Sequence, residues 1–240
     1  MTIALILAAL GALSVLSAGV LLRSLGSAFR IGRILSATPQ ASIAEAISLA
    51  HGRPTYVRVN GRISSDEEFP DEHDRPLVYR RTRIELAEGG GRWLAAHDEL
   101  EAVPFGVETR SDFIAVDETV LGPGVVAIPR ESRGSVRDLP AELVGDAAPG
   151  VAADAEARLV IEQLSAVEHA TVCGRPALRD GRPVLTAGVG RPLIVTTLEI
   201  PAAMRLLAGG GRGRVLAAAA ALLAGLGFLA AAAVAMIAGI

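Results

Sequence analysis

The side chains in this sequence that could do covalent or metal chemistry are few. There is one cysteine, Cys173, and four histidines, His51, His73, His97 and His169. No two histidines fall three or four residues apart, so no helix face presents a metal pair. A catalytic thiol needs its thiolate held by a nearby base or a helix N-terminus. Cys173 instead alternates with apolar neighbours from Ala170 to Gly174, which predicts a strand and a buried, inert thiol. Between Asp66 and Asp74, six acids surround His73. Hard cations bind among carboxylates, but the spacing is not that of an EF-hand, and the stretch reads as a solvated loop. Gly-x-Ser-x-Gly is absent, and the glycines at 89–91 and 209–213 lack the strand-to-helix context and the lysine of a phosphate loop. These residues predict no catalytic set, no metal and no cofactor, although an enzyme acting through Cys173 or through a separate partner is an alternative.

The segment Tyr79-Arg80-Arg81-Thr82-Arg83 points elsewhere. Alternate residues of a strand share a face, so Tyr79, Arg81 and Arg83 would line one side and Arg80 the other. Guanidinium groups in such a row can hold a phosphate or an acidic peptide. They could equally pair with the acidic stretch just before them. Arg80, Arg81, Arg83 and the single tryptophan, Trp93, are the candidate residues for binding a partner or ligand. All 23 basic residues are arginine, yet the formal net charge is −3, so no nucleic-acid partner is expected.

These residues lie between two long apolar segments. No charged residue occurs from Ile3 to Leu22 or from Val215 to Ile240. A bilayer core of about 30 Å is crossed by roughly 20 apolar helical residues, and each segment is long enough. The start of the chain lacks the basic stretch of a signal peptide. Arg23, Arg30 and Arg33 follow the first segment, and Arg205, Arg212 and Arg214 precede the second. Because positive charge stays inside, the sequence predicts an integral membrane protein with two spans, a cytoplasmic middle and both termini outside. Small residues at Ala4, Ala8 and Ala12, and the alanine runs 217–221 and 230–233, would let helices approach closely in lipid. They predict packing of the spans on each other or homo-oligomerisation through them.

The middle is β-rich. Ser42 and Glu45 form a capping box for a short helix to His51. Strands are predicted at Tyr56–Val59, ending in an Asn60-Gly61 turn, at Pro76–Leu86, at Arg92–Ala96 after a hairpin tip at 89–91, and at Val103–Val107, Phe113–Val116 and Val125–Ile128. Residues 130–154 read as a loop, and Ala155–Val167 fits helix or strand. Further strands are predicted at Arg182–Thr186 and Leu193–Leu198, then a short helix at Pro201–Leu207. Two short echoes (Val59-Asn60-Gly61-Arg62 with Val172-Cys173-Gly174-Arg175, and Arg75-Pro76-Leu77-Val78 with Arg191-Pro192-Leu193-Ile194) suggest two related β units. With aromatics at 3%, the core must be built mainly of aliphatic side chains. The fold class is α+β: a small β-rich barrel or sandwich at 52–208 between transmembrane helices at 3–22 and 215–240, with juxtamembrane helices at 23–51 and a linker at 209–214.

The order of these features resembles the GIDE family, also called the "beside a membrane" (BAM) domain. The resemblance rests on Val59-x-Gly61 before an acidic loop, Pro76-Leu77-Val78-Tyr79-Arg80-Arg81 opening a strand, and Trp93 after a hairpin. Val103-Pro104-Phe105, Val172-x-Gly174 and a short helix running into a span complete it. It departs at Glu168, where glycine is expected. The family domain lies between the two spans of mitochondrial and chloroplast outer-membrane E3 ubiquitin ligases, which carry a zinc-binding RING beyond them. One cysteine and four scattered histidines cannot supply the roughly eight ligands of a RING with two zinc ions. The resemblance therefore implies a sensing or adaptor module facing the membrane, without the ligase's catalytic recruitment. A structural role in membrane organisation is a further alternative.

Overall fold

The computed structural model describes residues 2–87, 93–139, 152–209 and 212–237. The chain divides into two compact units, one formed by residues 1–36 and 200–240 and the other by residues 37–199.

The first unit is helical. α1 runs from Thr2 to Ala37 without a break after its apolar stretch. After α2 (Ile43–His51) of the other unit, α3 (Ile200–Gly209) and α4 (Arg212–Ile237) return along it. Leu5–Leu22 and Val215–Ile237 are long and apolar enough to cross a membrane. Contact between α1 and α4 centres on glycines. A Cβ added at Gly11 would lie 2.7 Å from the Leu229 side chain and 3.0 Å from the Gly225 carbonyl oxygen, and one at Gly225 would lie 2.8 Å from Val15. Ala18, Ala218 and Ala232 are buried along the same seam, while Leu5, Leu13, Leu16, Leu216, Leu223 and Leu226 face outward. Ala12, singled out by spacing, is exposed. The close approach falls on Gly11 because only a missing side chain lets the backbones meet. Gly32 packs under Met204 of α3 in the same way, its added Cβ 3.1 Å from the sulfur.

Among the described residues, the second unit is built on α2 (Ile43–His51) and twelve strands. Ser42 caps α2, its hydroxyl accepting from the Glu45 N–H at 3.2 Å while the Glu45 carboxylate accepts from the Ser42 N–H at 2.7 Å. β1 (Val57–Ser64), β5 (Phe105–Glu108), β6 (Phe113–Val116), β11 (Arg182–Thr186) and β10 (His169–Arg179) pair in that order, and β10 pairs with β1 again, so the ring closes into a five-stranded barrel. β12 (Ile194–Thr196) pairs antiparallel with the Thr171–Cys173 stretch of β10 and carries β7 (Val125–Val126) in parallel. Val57, Val59, Gly61 and Ile63 point inward along β1, alternating with less buried residues. Ile43 and Ala46 of α2 join Val59, Val107, Ile114 and Val172 in one core.

A second sheet of β4 (Trp93–Ala102), β3 (Pro76–Ala87), β9 (Glu156–Ser165) and β8 (Arg130–Ser135), in that spatial order, is antiparallel throughout, with β2 (Phe69–Pro70) pairing the start of β3. Its root is in the barrel core, through Val78, Tyr79, Leu164 and Ala166.

Several local expectations change. Asn60-Gly61 is not a turn but the middle of β1. A Cβ at Gly61 would stand 2.7 Å from the Glu108 carbonyl oxygen, so the glycine serves the close β1–β5 approach. The first echo pairs with itself, Val59 lying opposite Val172. Residues 130–135, expected in a loop, form β8, because alternate side chains of Arg130–Ser135 are matched to β9. The ambiguous segment after Ala155 is β9, its helical alternative overridden by pairing on both edges. The hairpin tip at 89–91 lies outside the described residues, as do 140–151.

Candidate functional site

The second sheet gathers the charged residues of the middle unit. Pairing register fixes its two faces. Arg81 lies opposite Glu162 and Leu100, Arg83 opposite Val160 and Asp98, Glu85 opposite Arg158, and Arg133 opposite Arg158. Directly opposed residues share a face, so Tyr79, Arg81, Arg83, Glu85, Asp98, Glu162, Arg158 and Arg133 form one ladder. Arg80, Glu99, Glu101, Arg130 and Gln163 stand on the other face.

The first face is closed by ion pairs. Arg81 grips Asp98 with two nitrogens, at 2.7 and 2.6 Å. Arg83 reaches Glu162 at 3.1 Å. Arg158 pairs with Glu85, lies 3.8 Å from Glu131, and stacks its guanidinium 4.8 Å over the Trp93 ring. Arg133 joins the same ring at 5.8 Å. The tryptophan is thus the platform at which the ladder ends, with the guanidinium groups lying on its electron-rich face. Partly exposed pairs of this kind contribute about 0–1 kcal/mol each; their main effect is to fix where the charges sit.

Arg80 faces away from this ladder. It bonds Glu101 at 2.6 Å and lies 5.3 Å over the Phe69 ring. Beside it a cavity of about 110 Å³ is lined by Asp71, Arg80, Arg130, Ser132 and Gln163 among others. A wider hollow of about 530 Å³ is bordered by Arg75 and Arg130 together with Ile128 and Val167.

Of the four residues named from sequence, then, Arg81, Arg83 and Trp93 share a face and Arg80 does not. The arginines pair with Asp98, Glu101 and Glu162 of neighbouring strands, not with the acidic stretch before β3. In that stretch Asp71 serves Arg75, accepting from its Nε at 2.7 Å and from the backbone N–H groups of His73 and Arg75. Sequence reading missed Arg133, Arg158 and Glu162. The first lay in the presumed loop and the others in the segment whose period fitted helix or strand; Arg158 and Glu162, with one strand position between them on the same face, were the available signal.

Hydrogen bonding to Arg81 holds the Asp98 carboxyl below its ordinary value despite partial burial. Burial, reinforced by the Glu162 charge, pushes the Tyr79 phenol up to about 12. With its charges paired, the ladder can recognise charge and aromatic faces. Cys173 is unsuited to nucleophilic chemistry: it is fully buried, and burial pushes its thiol up to about 12. Among the described residues, no three His, Cys, Asp or Glu side chains are grouped to hold a metal ion.

No family model, curated protein or solved structure matches this chain.

Proposed function

We propose that the chain is a membrane-anchored, non-catalytic sensing or adaptor module of the GIDE type, held by two spans with its middle unit in the cytoplasm and both termini outside. The observation that carries this reading is the ladder ending on Trp93: arginines and acids paired across three strands beside an aromatic platform, an arrangement suited to recognition. The apolar helix pair supports the anchoring, since the helices meet through Gly11 and Gly225 while leucines such as Leu13, Leu16, Leu216 and Leu223 are exposed, as lipid allows. The arginines at the inner ends of both spans support the orientation.

The test is crosslinking of the full chain to partners in native membranes. Replacing Trp93 or Arg133 by alanine removes the platform or its neighbour without touching the barrel. Loss of a central aromatic anchor typically costs more than about 2 kcal/mol of binding, so capture should fall at least about tenfold. Capture unchanged by both substitutions would reject this surface.

A further inference from the structure

The second sheet ends in two strands that pair on one side only. β4 pairs with β3 alone and β8 with β9 alone among the described residues. An open edge offers unpaired N–H and C=O groups to any extended segment. These two edges carry opposite charge. β4 presents Asp98, Glu99 and Glu101 with no arginine, and β8 presents Arg130 and Arg133 around Glu131. All six side chains lie at exposed or half-exposed positions.

We propose that β8 of one copy pairs with β4 of the next, joining copies of this chain edge to edge. The geometry allows it without inverting either molecule. The strands β4, β3, β9 and β8 alternate in direction, so a neighbouring copy in the same orientation brings its β4 antiparallel to β8. Faces are preserved when Arg133 stands opposite Asp98. That register also places Arg130 opposite Glu101, Ser132 opposite Glu99 and Glu131 opposite Leu100. Both arginines therefore meet acids, one on each face of the sheet. The β-bulge at Ile84/Glu85 lies beyond His97, leaving residues 97–101 regular for pairing. In the symmetric alternative, β4 on β4, the antiparallel registers centred on this stretch set an acid against an acid, Asp98 on Asp98, Glu99 on Glu99 or Glu99 on Glu101, and like charges opposed across strands are destabilising.

A contact of five residue pairs is small, so it depends on the tether. Two anchored chains in one membrane meet at a raised effective concentration. Because the two edges differ, the contact is head-to-tail, and it builds open rows or closed rings, not closed pairs.

Cysteine crosslinking of the full chain in reconstituted membranes tests this. Glu99 and Ser132 are exposed, and their substitution by cysteine spares every ion pair of the ladder; Cys173 stays buried. Under mild oxidation, a mixture of E99C chains and S132C chains should give dimers. A chain carrying both should give a series of higher multiples, and each variant alone should stay monomeric. Adding R130E and R133E should lower the yield at least about tenfold, equivalent to about 1.4 kcal/mol. Self-crosslinking of E99C alone or of S132C alone, or a crosslink to a different protein, overturns the proposal. So does the absence of crosslinks in chains whose circular dichroism matches the unsubstituted protein. None of these outcomes depends on whether Trp93 captures a partner.

Discussion

The barrel closes at its shortest seam through one buried carboxylate, and this gives the sharpest stability prediction. β6 and β11 meet in parallel over only two residue pairs, Ala115 with Val184 and Val116 with Leu185. Asp117 follows directly, 1% exposed. Its backbone N–H donates to the Leu185 carbonyl at 2.9 Å. Its carboxylate accepts from the hydroxyls of Thr119 and Thr186, both at 2.6 Å, and from Arg179 at 2.5 Å. Burial alone would raise the carboxyl's pKa, but these hydrogen bonds and the guanidinium outweigh it and hold it below its ordinary value. A hydrogen bond to a charged group is worth about 1.5–3 kcal/mol. The Arg179 share is small because that side chain is half exposed. Asp117→Asn keeps one accepting oxygen and turns an NH₂ group toward the donors, so it should cost about 2–4 kcal/mol, a large part of the 5–15 kcal/mol typical of a domain. The sign with pH follows from the lowered value: the charged carboxylate's contribution is present above the ordinary aspartate pKa of about 3.9 and is lost as pH falls through the folded value. Urea unfolding in detergent, read by Trp93 fluorescence and by circular dichroism, should therefore show a large deficit for Asp117→Asn at pH 7 that narrows below about pH 4. A deficit under about 0.5 kcal/mol, or one that does not narrow in acid, would refute this account of the seam.

Three further outcomes are expected. Among the described residues, the buried Tyr79 hydroxyl has no hydrogen-bond partner, and an unpaired buried polar group costs about 1–3 kcal/mol; Tyr79→Phe should leave stability unchanged or raise it by up to about 1 kcal/mol in urea unfolding, and a clear loss would show that the hydroxyl is bonded. Gly11→Leu should loosen the α1–α4 pair by about 1–3 kcal/mol, while Gly19→Leu, with nothing within 4 Å of an added Cβ, should not; proximity labelling between the two helices separates the cases, and equal effects would place the crossing elsewhere. Cys173 should resist alkylation at neutral pH in the folded chain and react fully after denaturation, whereas rapid labelling of native protein would reopen the thiol as a nucleophile.

Legibility from sequence followed the range of the forces involved. The two apolar helices were plain because twenty uncharged residues in a row carry their own signal. Strands such as Phe113–Val116 and Arg182–Thr186 were plain because alternation and flanking turns are local. Gly61 misled because Asn-Gly is a turn dipeptide by local propensity, whereas here the glycine answers a neighbouring strand 47 positions later, at Glu108. β8 and β9 were hidden for the same reason. Arg130–Ser135 has neither apolar alternation nor aromatic residues, and it is a strand only because β9 supplies its pairing partner. Likewise the arginines after Tyr79 were visible, but their partners at 98, 101 and 162 come from strands distant in sequence, while the acidic stretch close by answers its own Arg75.

The charge ladder itself is the expected dress of a sheet that leaves the barrel core. Beyond Tyr79 both faces carry charged side chains: Arg81, Arg83 and Arg158 on one, and Arg80, Glu101 and Arg130 on the other. Long arginine stems cover the apolar backbone surface while their heads stay wet, so solubility alone accounts for much of both faces. It does not account for how charge is sorted between the edges. Solubility would be served by mixing signs along each outer strand, and a mixed or basic edge is also the usual protection against unwanted pairing. Here β4 carries Asp98, Glu99 and Glu101 and no arginine, β8 sets Arg130 and Arg133 around the single Glu131, and the one face-preserving register that opposes Asp98 to Arg133 also opposes Glu101 to Arg130. Sorting of that kind lowers the energy of one particular contact while raising that of β4 with β4, which is the signature of selecting a partner edge and not of avoiding partners.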